Sequence, residues 1–369
     1  MPDMNALKSS VRGQREFHAR HRGRGSQIWI YLGKMLRMFV YQNDWKVLPM
    51  SALIAALVGL VIRKRMFLNM EGTVMGAFAL VCVCIWNGCF NSIQVICRER
   101  DVIKREHRSG MHISSYIISH MIYQALLCLM QTGVTLYITK MAGVQYPQKG
   151  LLTPSLILDL GISMLLITYA SDMLSLWVSA LARSSTTAMT IMPFVLIFQL
   201  VFSGGMLTLP AWSEPLTRFT ISNPGLKVIA AQADVNNRPF VTISNMIGKM
   251  HDSEVDVTIT FGKVLDVLSD IDYPELNELM EMVNSSHELD AYREEEVTLH
   301  TTVGRIMEMV GEDEAKTYLE QNAAAASYNP AYENTRANIL QYWWHLARFI
   351  IVFALLAMIT LEFIDKDKR

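Results

Sequence analysis

Along the chain, apolar residues gather into one amphipathic stretch followed by six long runs. From Gln27 to Asn43, Ile28, Leu32, Met35, Leu36 and Phe39 recur at helical spacing while Lys34 and Arg37 fall off that face. A helix of this kind lies in the surface of a membrane. The longer runs are Val47 to Ile62, about Thr73 to Cys97, Ser114 to Thr139, Ser155 to Ala182, Thr186 to Leu209 and Leu346 to Ile364. A bilayer core takes roughly 20 apolar residues in a helix, so each run is read as a membrane span. The first is short, and the flanking Trp45, Lys46, Arg63, Lys64 and Arg65 are expected to snorkel to the interface. Spans four and five are divided only by Arg183 and a few hydroxyl residues, which predicts a tight helical hairpin. Tyr342, Trp343 and Trp344 mark the outer interface of the sixth.

Composition agrees: 51% of the 369 residues are hydrophobic and 18% charged, too apolar for an ordinary soluble protein. The formal net charge of -1 hides an asymmetry, because residues 210–345 hold 22 acidic and 9 basic side chains. Six crossings put both termini on one side, together with the basic N-terminus (Arg12, Arg15, Arg20, Arg22, Arg24), the charged stretch 98–112, Arg183 and the basic tail. Short cytoplasmic loops collect Lys and Arg, so that side is read as the cytoplasm and the acidic segment as external. Arg63, Lys64 and Arg65 then fall outside, against the rule but outweighed by the other loops. The N-terminus has no apolar region or cleavage site behind its arginines and does not read as a secretory signal.

The expected fold is an all-α membrane protein: an amphipathic helix, six transmembrane helices, and a mainly helical external domain between spans five and six. The boundaries are a basic cytoplasmic tail 1–26, the surface helix 27–46, spans one to five in 47–209, the acidic domain 210–345, and span six with a cytoplasmic tail in 346–369. Within the acidic segment, 261–269, 275–283 and 303–311 alternate apolar and acidic groups with helical spacing, and Pro274 suits a helix start. Asp252, Glu254 and Asp256 alternate like calcium ligands but lack the glycine and terminal glutamate of an EF-hand loop, which favours a solvated acidic surface. Asn284-Ser285-Ser286 is a glycosylation sequon of consequence only in a eukaryotic secretory pathway. The five cysteines (Cys82, Cys84, Cys89, Cys97, Cys128) sit in or beside apolar runs, where packing is the expected role and disulfides are not.

Uphill transport needs an energy source, yet the chain has no G-x-x-x-x-G-K-[ST] loop: Gly33-Lys34, Gly248-Lys249 and Gly262-Lys263 are each followed by the wrong residue. No H-E-x-x-H or G-x-S-x-G is present, and Ser203 with His120 is the one nucleophile and base pair to nominate, so no catalytic residue is expected. Asp159 and Asp172 in the fourth span are ionisable groups in an apolar run, either functional or hydrogen-bonded within the bundle, or, for Asp159, near the outer interface. The stretch from Arg98 to His112 alternates charges of both signs between two spans. It suits docking on a soluble partner.

Here the chain resembles the permease domains of type-2 ATP-binding-cassette exporters, particularly the G subfamily of white and multidrug-exporter proteins. Arg105-Glu106, Gly110 and Ser114-Ser115-Tyr116 follow that family's loop after the second span. Ala188, Pro193 and Phe202-Ser203-Gly204 match in the fifth span, and Ile221-Ser222-Asn223-Pro224 beyond it. The likeness covers 27–230 and 340–365. It implies that 98–112 is the coupling helix seated on the ATPase, with Arg105, Glu106 and Gly110 as its motif. The surface helix becomes the connecting helix beside it, and Glu106 transmits force through a polar contact between the two.

The resemblance also implies a substrate cavity between the second and fifth spans of two permeases, with Asn87 and Phe90 on one wall and Ile197 and Leu200 on the other. Gly205 and Met206 stand where multidrug members seal the cavity with a leucine pair, so the seal differs. The family's external disulfide cysteines are missing. The implied partners are a separate ATPase chain carrying ATP and magnesium, a second permease copy and membrane lipid, with no nucleic acid. The protein is then an exporter subunit of the cell membrane, moving an amphipathic compound. The alternative is a non-transporting signal transmitter whose external domain senses a ligand.

Overall fold

The structure, a computed structural model, describes residues 23–41, 44–204, 213–238, 254–260, 295–302, 305 and 328–363. Two compact units are present. One takes residues up to Leu68, from Gly72 to Asn237 and from Pro330 on; the other takes Asn69–Glu71 and Arg238–Asn329.

The first unit is helical: α1 (Arg24–Tyr41), α2 (Val47–Ile62), α3 (Met70–Ser92), α4 (Val95–Arg108), α5 (Ile113–Met141), α6 (Leu156–Leu181), α7 (Ser185–Val201), α8 (Glu214–Thr217), α9 (Ser222–Gln232) and α10 (Arg336–Glu362). Among the described residues, four stretches are long and apolar enough to cross a membrane: the run containing α3 and α4, then α5, α6 and α10. The helices α2 and α7 are apolar but shorter, with 16 and 17 residues. The first span starts and stops as the sequence indicates. The fifth ends earlier, at Val201, where the chain turns through Gly204 at φ 75°. The sixth helix begins ten residues before the apolar run, because Thr335 caps it by accepting from the Asn338 N–H.

Small residues let these helices close on one another, as packing in lipid requires. The buried face of α2 is Ser51, Ala55, Gly59 and Ile62, and it lies on α5. A Cβ at Gly59 would stand 2.9 Å from that of Ala142. The approach of α3 to α6 is closer still, since a Cβ at Gly88 would collide with the Thr168 carbonyl oxygen and lie 2.9 Å from the Asp172 amide nitrogen. Along its other side α6 receives α10, with Trp177 stacked on Phe353 at 5.8 Å.

Residues 213–237, assigned from sequence to the external segment, belong to this helical unit. Helix α9 is buried from Pro224 to Gln232, apart from the half-buried Lys227, and packs on α6 and α10. Polar groups hold it there. The Gln199 side chain accepts from the Ile221 amide at 2.8 Å, Gln232 accepts from Ser163 at 2.9 Å, and Trp343 donates to the same Ser163 at 2.7 Å.

In the second unit, β1 (Glu254–Thr260) and β2 (Glu296–Thr302) pair antiparallel, Glu254 opposite Thr302 and Thr260 opposite Glu296. This ladder departs from the all-α expectation. Its sequences, EVDVTIT and EVTLHTT, are rich in β-branched residues, and Val255, Val257 and Ile259 recur at a period of two. The helices expected at 261–269, 275–283 and 303–311 lie outside the described residues, save the single residue 305.

Candidate functional site

The charged helix α4 starts three residues before the expected stretch and stops at Arg108. Ile96, Cys97 and Ile103 are buried, whereas Arg98, Asp101, Arg105 and Arg108 form an exposed charged face. Arg105, His107 and Arg108 occupy the last turn, where cations suit the helix dipole. Gly110 ends the helix in the left-handed region at φ 98°, and the Met111 N–H returns to the Glu106 carbonyl at 3.0 Å. Arg105 is therefore on the outer face, Glu106 is half-buried, and Gly110 lies in the turn rather than in the helix.

Two sets of contacts fix α4. On one side Arg100 donates to the Ala180 and Ala182 carbonyls, both at 3.0 Å, and Ser179 accepts from the Ile96 and Cys97 amides at 3.1 Å. These tie α4 to the end of α6. On the other side stands α1. Lys34 Nζ is 3.7 Å from Glu106 and 3.8 Å from Glu99, and Gln27 donates to the Gly110 carbonyl at 3.2 Å while accepting from the His112 amide at 3.0 Å. Tyr31 lies edge-on to Tyr116 at 5.7 Å. Burial, with the charge and hydrogen bonding of Glu106 added, pushes the Tyr31 hydroxyl up to about 12.

The surface helix has two apolar sides. Leu32 and Met35 are buried in the unit, where α1 packs on α5, whereas Trp29, Ile30, Leu36 and Val40 are exposed. The stripe expected from the sequence set Leu36 on one face with Leu32 and Met35, and sequence reasoning did not separate the two sides. It also missed Gln27, Tyr31 and Arg100 as contacts of the loop, since nothing local distinguishes them from surface polar residues.

Of the four residues assigned to a substrate cavity, Asn87 and Phe90 lie on α3, and Ile197 and Leu200 on α7. Asn87 is buried and donates to Ser51 Oγ at 2.9 Å. Phe90 is exposed and stacks on Trp86 at 5.7 Å. Ile197 is exposed on α7 beside Phe194, and Leu200 is half-buried. Only Ala188, Met192, Leu196 and Gln199 of α7 are buried, so an apolar side of this helix stands open. Gly205 and Met206 lie outside the described residues.

The two acids of the fourth span have different surroundings. Asp159, in the first turn of α6, accepts from the backbone amides of Leu151, Leu152 and Thr153 at 2.8–2.9 Å and so fastens the preceding loop. Asp172 accepts from Ser92 at 2.6 Å, and Ser92 from Gln124 at 2.8 Å. Ser203 donates to the Leu200 carbonyl, and neither ring nitrogen of His120 has a hydrogen-bond partner, so no nucleophile and base pair forms.

The arrangement, a charged helix between spans braced against a surface helix, has a counterpart in known proteins. A family model described as "ABC-2 type transporter" matches residues 14–222. The chain belongs to that family. The match takes in α1 to α8 and the first residue of α9, so the chain is an integral membrane protein that carries an ABC-2 membrane component. Membrane domains of the ABC-2 family are not themselves catalytic and work with an ATP-binding partner. An ABC transporter ATP-binding/permease protein of Mycobacterium tuberculosis is 28% identical over 150 residues, 40% of this chain and 17% of the relative. The chain thus spans less than a fifth of that relative.

Proposed function

We propose that this ABC-2 protein is the permease subunit of an ATP-driven exporter. In this reading six helices cross the cell membrane, with both termini in the cytoplasm and α2 and α7 the short spans. Two permease copies assemble with two copies of a separate ATPase chain, which carries the ATP and magnesium. An amphipathic or lipid-like compound moves outward by alternating access between them. In this reading the protein is of the subfamily of white and multidrug exporters.

The supporting observation is the bracing of α4. Its outer charged face is exposed, while its inner side is fixed to α6 through Arg100 and to α1 through Lys34 and Gln27. A push on the outer face is passed to both a span and the surface helix. The open side of α7, with Phe194 and Ile197 exposed, suits a second copy, and a cavity between copies then takes Phe90 and Leu200 as wall residues. Asn87 serves as the brace of that wall through Ser51.

Purification of the intact protein from native membranes tests this reading: a nucleotide-binding chain is expected to copurify in equal amount. Its absence overturns the exporter and favours the signal transmitter, for which the separate compact unit 238–329 is the supporting feature.

A further inference from the structure

A cavity of about 310 Å³ opens between α1, the α3–α4 junction and α5. Ligand pockets begin at about this size. Its wall carries two buried polar side chains with no hydrogen-bond partner. His120 is 4% exposed, lies 4.6 Å from the Tyr116 ring and has both nitrogens unpaired; Tyr116 is 1% exposed and its hydroxyl is unpaired. Buried polar groups in folded proteins are almost always satisfied, so a wall with three unpaired atoms points to a molecule that pairs them. Lys34 and Arg98 also line the cavity, and Glu99 is the one acid among its residues. The rest of the lining sets the polar Asn91, Gln94 and Tyr123 among apolar side chains such as Met35, Met38 and Leu127. Outside it, α1 exposes Leu36 and Val40, a surface that suits lipid.

We propose that this cavity binds the phosphate-bearing head and upper chain of an anionic membrane lipid. Lys34 and Arg98 face the phosphate, and His120 and Tyr116 hydrogen-bond the oxygens next to it. Met35, Met38 and Leu127 receive the start of the acyl chain, whose remainder lies along α1. The same ammonium that bridges Glu99 and Glu106 then also holds the lipid, so the site sits on the contact between α1 and α4. The site lies within one copy, and Phe90 borders both it and the cavity proposed between copies.

The test uses the full chain in nanodiscs of phosphatidylcholine with or without phosphatidylglycerol, followed by transfer to detergent and native mass spectrometry. Wild type is expected to retain one phosphatidylglycerol with about tenfold preference over phosphatidylcholine, equivalent to about 1.4 kcal/mol. Leu127→Trp, which fills the cavity, and Lys34→Gln, which removes the charge, are each expected to abolish the preference. Lys34→Gln leaves the interior packing intact and decides the matter if Leu127→Trp fails to fold. Inorganic phosphate at millimolar concentration is expected neither to displace the lipid nor to raise the unfolding temperature. Equal retention of the two lipids, or an undiminished preference in Lys34→Gln, overturns the proposal. Displacement by inorganic phosphate shows a bare anion site and overturns the lipid.

Discussion

Lys34 on α1 and Glu106 on α4 face each other at 3.7 Å, and Glu99, two helical turns away, stands 3.8 Å from the same ammonium. One cation of the neighbouring helix thus bridges two turns of α4. The partners are about a quarter to a third exposed, and ion pairs of that kind contribute only about 0–1 kcal/mol to stability. Orientation of α4, rather than stability, is what the contact supplies. Lys34→Ala is expected to change unfolding free energy by no more than about 1 kcal/mol in a denaturation series; a larger loss contradicts an orienting role.

Gln27 is placed differently, because its amide satisfies one carbonyl and one N–H of the turn after α4. Gln27→Ala leaves both without that partner, at a cost of about 1–3 kcal/mol for each group that water does not reach. Hydrogen exchange at the His112 amide is expected to accelerate at least tenfold, equivalent to about 1.4 kcal/mol. Unchanged exchange means that the turn holds itself.

Tyr31 provides a pH test. Its raised value, from 10.0 to about 12, means that ionisation is penalised in the folded state. The stabilisation is fully present below pH 10 and lost as pH rises through about 12. The difference in tyrosinate absorbance between wild type and Tyr31→Phe is expected to have its midpoint near 12. A midpoint near 10.0, the ordinary value, contradicts the burial against Glu106.

Gly88→Ala tests the closest helix approach. Its added methyl meets the Thr168 carbonyl and Ser171 side chain of α6, and overpacking of this kind costs typically about 1–3 kcal/mol, occasionally more. A lowered unfolding temperature is expected, with activity lost only as folded protein is lost. Wild-type thermal stability means that α3 and α6 stand further apart.

Asp159→Ala removes the acceptor of three backbone amides. Hydrogen bonds to a charged group contribute about 1.5–3 kcal/mol each, so faster exchange at Leu151, Leu152 and Thr153 is expected. Exchange unaltered at all three amides contradicts a fastening role.

Much of this was legible in the sequence because hydrophobic runs and helical spans share one period. Val47 to Ile62 is both the apolar run and the helix, and Arg105-Glu106 with Gly110 locates the turn. Three features were not legible. Helix α9 is too short for a span, and its packing into the helical unit depends on Gln199 and Ser163, contacts distant in sequence. The β1–β2 pairing joins segments about 40 residues apart. The uncovered apolar face of α7 is the third, because which side a neighbour covers is not written in an evenly apolar run.

The central claim is that α4 couples this permease to an ATPase through Glu106. Its most direct test is the ATP hydrolysis rate of the copurified complex, compared between wild type and Glu106→Ala at matched subunit ratio. Couplings between sites are commonly about 5–150-fold. The expected result is a rate at least about fivefold lower with the assembly intact; an unchanged rate in an intact assembly contradicts the claim.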